Sequence, residues 1–273
     1  MTTEQTQISA VGNPTLANQL VAEALSEQEV AAPAPVAKVQ LPPDTQVELP
    51  GGLIDPFEGT ITTAEVRELT GADEEAISKI SDTGKALLAI LDRATVKIGD
   101  KPASKDALES LLAGDREMIL LAIRKVTFGS EVKLELNCPF CGEEQLFEID
   151  LDQDVEIKKL ENDEIRFEVD CKVGKVSVTL PNGATQKALV TSSDKTSAEL
   201  DTILLKSCVS SINGMPIYSL DQIKNLGIKD RRELLSEISK RNPGPQLDEI
   251  KKECKSCGQG VPLPLTLADL FRQ

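Results

Sequence analysis

The sequence predicts an α+β fold. The body is internally duplicated and made of helices and short strands. A four-cysteine zinc knuckle joins its two halves, and an extended N-terminal arm precedes it. Three observations carry this reading. Hydrophobic periodicity alternates between the helical and the strand repeat along the chain. Short segments recur in the same order, mostly 114 to 116 residues apart. Two Cys-x-x-Cys-Gly motifs, Cys138/Cys141 and Cys254/Cys257, close the two recurring stretches.

Residues 1–45 are the predicted arm. They are rich in Ala, Val, Gln and Pro, and AAPAPVAKVQLPPD suits an extended, partly polyproline conformation with no core of its own. Leu16, Leu20, Val21, Ala24 and Leu25 recur at helical spacing, which fits either a short amphipathic helix ordered on a partner or a fraying one.

Residues 46–152 form the first predicted repeat. V-E-L-P-G-G opens it, Thr62-x-x-Glu65 reads as a capping box starting a helix to about Leu69, and TGADEE leads into another. DTGKALLAILDR and SKDALESLLAGDREMILLAIRK carry apolar helical stripes, the latter divided at Gly114-Asp115. From Val132 the period is two. Val132, Leu134 and Leu136 precede the first knuckle and Leu146, Phe147 and Ile149 follow it, a strand–turn–strand pattern.

Residues 153–273 form the second. IRFEVDCKV and KVSVTLP read as strands, and TSAELDTILLKSCV, SLDQIKNLG and DRRELLSEISKR as helices with caps at Thr196, Ser219 and Asp230. Between the repeats, V-E-L-P-G-G (47–52) aligns with V-T-L-P-N-G (178–183), and LLAIL (87–91) with ILLKS (203–207). I-G-D-K-P (98–102) aligns with I-N-G-M-P (212–216), Asp115-Arg116 with Asp230-Arg231, and C-P-F-C-G (138–142) with C-K-S-C-G (254–258).

The chemistry of the cysteines follows from their spacing. Two sulfurs of a Cys-x-x-Cys turn can approach one ion, and a structural zinc takes four such ligands in a tetrahedron. Gly142 and Gly258 supply the positive φ that a tight knuckle needs. Here 112 residues separate Cys141 from Cys254, against about 15–20 in common ribbons. Loop-closure entropy grows only slowly with length, so the long closure is tolerable. The predicted site is therefore a structural Zn2+ at Cys138, Cys141, Cys254 and Cys257, and iron would suit the same four sulfurs. Cys171, at a strand end, and Cys208, on an apolar helical face, read as small buried hydrophobes.

Composition excludes several functions. A formal charge of -15 and a pI near 4.6 oppose binding to phosphate backbones. The chain has no His, no Trp and one Tyr, Tyr218, which removes the commonest general base, imidazole-based catalytic zinc sites and most stacking platforms. Acidic groups such as Asp73/Glu74/Glu75 and Glu143/Glu144 read as solvated faces, and Lys229, Arg231, Arg232, Lys240 and Arg241 interleave with acids as helix decoration. V-x-L-P-x-G lacks the Gly-Lys-Ser/Thr ending of a phosphate loop. MTTEQTQISAVGN has no secretory pattern and no apolar run is long enough to span a bilayer, so no membrane span, no nucleic acid and no small-molecule substrate is expected.

One combination points further. It comprises the L-P-x-G start, GDREMILLAIRKVTFGSEVKLELNCPFCGEE, the second L-P-N-G, LLKSCV, KDRRELLSEI, and the terminal Cys-x-x-Cys before PLPLTLADLF. Over about residues 47–273 the chain resembles the baseplate hub subunits of T-even-type tailed bacteriophages. The resemblance implies a non-enzymatic structural component of the tail baseplate, at the hub or tail tip. Such a protein would be assembled in the host cytoplasm, carried in the virion, and partnered by other tail and baseplate proteins. The alternative that C-P-F-C-G leaves open is a cytosolic zinc-ribbon adaptor in transcription or translation.

Overall fold

The structure, a computed structural model, describes residues 45–56, 59–160, 164–263 and 265–271. The arm expected at 1–45, with its amphipathic stretch, lies outside the described residues except for Thr45.

Strands β1 (Gln46–Asp55) and β2 (Gly59–Val66) pair antiparallel, and β3 (Thr95–Ile98) and β4 (Lys101–Pro102) extend the sheet in the order β1-β2-β3-β4. Between β2 and β3 run α1 (Gly71–Ile77) and α2 (Thr83–Ala94). After β4 come α3 (Lys105–Ser110) and α4 (Ala113–Phe128), then a hairpin of β5 (Glu131–Asn137) and β6 (Glu144–Asp150). Beyond the short β7 (Ile157–Lys158), the pattern recurs. Strands β8 (Arg166–Cys171), β9 (Gly174–Thr179), β10 (Val209–Ile212) and β11 (Met215–Pro216) form a second sheet in the order β8-β9-β10-β11. Helices α5 (Gly183–Thr191) and α6 (Ser197–Cys208) lie between β9 and β10, and α7 (Leu220–Lys224) and α8 (Ile228–Arg241) follow β11. Strand β12 (Gly244–Pro245) pairs with β7, and β13 (Lys251–Glu253) with β14 (Gly260–Pro262) makes the last hairpin. The mixed helix and strand content agrees with the α+β expectation.

Several local expectations are corrected. Residues 59–66, expected to start a helix at Thr62, are strand β2. The β-branched run T-I-T-T is stiff at χ1 and suits a pleated sheet, and Ala64 and Val66 alternate into the core. The capping box sits eight residues later, where Thr70 and Asp73 satisfy each other's backbone amides. The helical stretch at 105–128 breaks at Leu111–Leu112 instead of Gly114-Asp115. The cause is tertiary: Gly183 N–H donates to Leu111 O, Ala113 N–H to Pro181 O, and Leu112 bridges Asn182. Thr196 and Ser219 are caps as expected, but α8 is capped at Gly227 and Asp230 lies inside it. The two V-x-L-P-x-G segments occupy different places, the first within β1 and the second running from β9 into α5.

The core is divided in three. One cluster lies under the first sheet, around Val66, Leu91, Leu111 and Ile123, and one under the second, around Val176, Leu205, Ile223 and Leu234. The third unites the two late hairpins: Phe147, Ile149 and Leu151 pack with Leu247, Val261 and Leu263. Helix α4 serves the first and third clusters. Ile119, Leu120 and Ile123 face the first, while Leu121 faces the third, and the preceding Leu112 joins the second. A helix buried on several sides loses a single apolar stripe, as this one does.

Candidate metal centre

Each Cys-x-x-Cys motif sits at the tip of its hairpin, and the two tips have the same backbone. The last β5–β6 pair is Asn137–Glu144 and the last β13–β14 pair is Glu253–Gly260, so six residues close each turn. In the first, Cys138 N–H donates to Glu143 O at 2.9 Å and Gly142 N–H to Cys138 O at 2.8 Å. In the second, Cys254 N–H donates to Gln259 O at 2.8 Å and Gly258 N–H to Cys254 O at 2.8 Å. Gly142 has φ +77° and Gly258 φ +71°, with open space where a side chain would go, so backbone conformation alone demands glycine there.

The third core brings these tips together. The sulfurs of Cys138, Cys141, Cys254 and Cys257 all lie within 4.8 Å of one another. Cys138 Sγ is 3.8 Å from Cys257 Sγ, and Cys141 Sγ is 3.7 Å from Cys254 Sγ. Four sulfurs bound at about 2.3 Å in a tetrahedron are about 3.8 Å apart, so the donor set fits one zinc-sized ion. All four cysteines are free thiols. Cys138 and Cys254 are buried against the third core, and Cys141 and Cys257 are exposed on the outer side.

The sulfurs are not equivalent. Cys254 Sγ accepts from Cys257 N–H at 3.4 Å and from Gln145 Nε2 at 2.9 Å. Burial pushes the Cys254 thiol up, but the Cys257 amide and thiol, with the Ser256 amide, win and bring it down to about 6. Gln145 also accepts Lys255 N–H through Oε1 at 2.9 Å. Nothing in the sequence singled out Gln145, which reads as one polar residue on an alternating strand.

The other sequence candidates resolve into structural roles. Cys171, expected to be buried, is only half-buried and lies beside Asp230 and Glu233. Burial pushes its thiol up to about 11, and both Asp230 oxygens accept backbone amides, from Lys172 and Val173. Cys208 is buried and pushed up to about 12 by desolvation. Asp73, expected on a solvated face, is 1% exposed and accepts from Arg67 and Arg93. Of the basic group on α8, Arg231 is bonded to Ala198 O, Thr202 and Ile223 O, Lys240 pairs with Glu237, and Arg241 stacks on Phe167. No helix among the described residues is long and apolar enough to cross a membrane.

Two similarly strung sheet-and-helix units, with a four-cysteine cluster where their terminal hairpins meet, define an α+β knuckle protein. The chain's family is more specific: residues 56–272 match the T4 bacteriophage base plate protein family, and the chain belongs to it. The match takes in both knuckles and all the described elements after β1. Membership makes this a phage baseplate structural protein, with tail proteins as its partners and the virion tail as its place. No curated protein and no solved structure matches the chain.

Proposed function

We propose that the chain is a non-enzymatic subunit of the hub or tail tip of the baseplate, working through contacts with neighbouring tail proteins. In it, Cys138, Cys141, Cys254 and Cys257 hold one structural Zn2+ that fastens the two halves of a duplicated body. The observation that carries the metal reading is the sulfur spacing of 3.7–3.8 Å across the two knuckles, matching a tetrahedral four-thiolate shell. Four protein sulfurs would leave no open position on the ion, so its contribution is cohesive. The ligands would turn two separate hairpin tips into one rigid point.

The duplication, with halves at 46–152 and 153–273, is supported by equivalent bonds as well as by strand order. Arg116 Nη1 donates to Leu108 O and Arg231 Nη1 to Ile223 O, each reaching a buried residue eight positions earlier. One residue before each arginine, Asp115 accepts Gly51 N–H and Asp230 accepts Lys172 and Val173 N–H, so each aspartate secures backbone of its own sheet. The knuckles meet, but the halves do not mirror each other at every contact. Among the described residues, the isolated Leu112–Asn182 bridge has no counterpart 115 residues on at Gly227.

Metal analysis of the purified full chain tests the site, with about one zinc per chain expected. No bound metal refutes it, and iron in its place corrects the ion. Locating the labelled chain in purified tails tests the role. Its absence from the central baseplate refutes the hub or tail-tip reading.

A further inference from the structure

The two knuckles resemble each other so closely that the difference between them is informative. Gln145 is the second residue of β6, opposite Leu136 in the register. Its side chain leaves its own hairpin and reaches the second knuckle, 109 residues away in sequence. Lys255 N–H can only donate, so it fixes the Gln145 Oε1 toward Lys255 and turns Nε2 toward Cys254 Sγ. The residue in the same place on the other hairpin, 116 further along, is Val261, which is fully buried in the third core and has no hydrogen-bonding side chain. Among the described residues, one knuckle therefore receives a side-chain amide across the junction and the other receives none.

We propose that Gln145 is the positioning residue of the metal centre: it docks the second knuckle onto the first and orients the Cys254 sulfur around which the four-sulfur site closes. The inference rests on the metal reading above. Its physics is that a metal-bound thiolate carries charge that N–H donors neutralise, and such donors orient the ligand and hold the ion tighter. The bond to Lys255 N–H adds position. Because that amide immediately follows Cys254, the two bonds through Nε2 and Oε1 set the sulfur's direction. The contact also joins residues that only the folded chain brings together, so it couples closure of the junction to metal affinity.

The test uses the full chain with Gln145→Leu and Gln145→Glu. Leucine keeps the bulk and loses both bonds. Glutamate keeps the acceptor for Lys255 N–H, removes the donor to Cys254 and adds a negative charge beside the sulfur. Chelator competition is expected to show zinc affinity reduced about 10- to 100-fold in Gln145→Leu and further in Gln145→Glu. In the cobalt-substituted protein, the sulfur-to-metal charge-transfer bands are expected to shift in both variants. Circular dichroism at saturating metal should match the unsubstituted chain. Unchanged affinity and unchanged bands in both variants, with the unsubstituted chain binding zinc, overturn the role of Gln145. An unsubstituted chain that binds no metal overturns the metal reading beneath it. Should Gln145→Leu not fold, equal affinity of Gln145→Glu and the unsubstituted chain still overturns the proposal.

Discussion

Gly114→Ala should destabilise the protein, although an isolated helix would predict the reverse. Gly114 is the second residue of α4 and has ordinary helical backbone, so alanine there should gain up to about 1 kcal/mol from propensity. The structure reverses the sign. A Cβ on Gly114 would lie 1.6 Å from Pro243 O and 2.5 Å from Pro243 C, far inside the 3.0 Å that real contacts respect. Opening the gap by about 1.4 Å means moving backbone on one side, because no flexible side chain stands between. The far side cannot yield easily. Gly244 has φ +121° and pairs with Lys158 in the β7–β12 ladder, while α4 is tied to the second unit through Ala113 N–H and Pro181 O. Overpacking of this kind costs about 1–3 kcal/mol, and with only backbone to shift the upper end applies, leaving a net loss of about 2 kcal/mol. For a body of this size that lowers Tm by roughly 4–8 °C. Urea and thermal unfolding of Gly114→Ala would measure it, and amide exchange at Ala113 and Gly183 should quicken if the junction opens. Gly71→Ala is the control: it opens α1 with nothing within 4 Å of its Cβ and should be neutral or slightly stabilising. A Gly114→Ala variant as stable as the parent would refute the reasoning, because the close approach at Pro243 would then not be a constraint.

Three further outcomes follow from the charges and the cysteines. Cys138→Ser and Cys254→Ser should each abolish stoichiometric zinc. An apparent metal contribution of about 10–16 kcal/mol rivals the whole stability of a domain, so both should unfold cooperatively at much lower urea. Normal unfolding midpoints would argue against the fastening role. Asp115 is buried with Oδ2 unpartnered, and burial raises its carboxyl to about 6 against the amides of Gly51 and Gly52. The protein is therefore at full stability with respect to this group below about pH 4 and loses stability as pH rises from about 4 through about 6, with the loss constant above that; Asp115→Asn should stabilise by as much as about 3 kcal/mol at pH 7 and by nothing at pH 4. Denaturation at both values checks the sign. Asp73 is the opposite case: the Arg67 guanidinium, with Thr70 and Arg93, holds its carboxyl below the usual carboxylate range. That stability is present above about pH 4 and lost as pH falls through the lowered value, and Asp73→Asn should cost about 2 kcal/mol at pH 7 because both arginines are partly exposed.

What the sequence determined by itself is everything carried by local chemistry. The Cys-x-x-Cys-Gly turns, the strands flanking them, the caps at Thr196 and Ser219 and the helix DTGKALLAILDR are set by residues within a few positions of each other. The pairing of the knuckles was legible as well, since a metal needing four ligands leaves two-ligand motifs incomplete alone. Tertiary structure decided the rest. Residues 59–66 are a strand because Val47 and the other residues of β1 pair with them, and no short window contains that partner. The break at Leu111–Leu112 is set by backbone bonds to residues 181–183, some 70 positions away. Burial of Asp73 depends on Arg93, twenty residues on. The terminal hairpins share a third core, and their tips bring Gln145 to Cys254; separately, Gly114 meets Pro243 where the chain entering β12 crosses the start of α4. Local sequence carries conformational preference, whereas long-range contacts are chosen by burial and by satisfying backbone groups across the whole chain, which no pattern within one segment encodes.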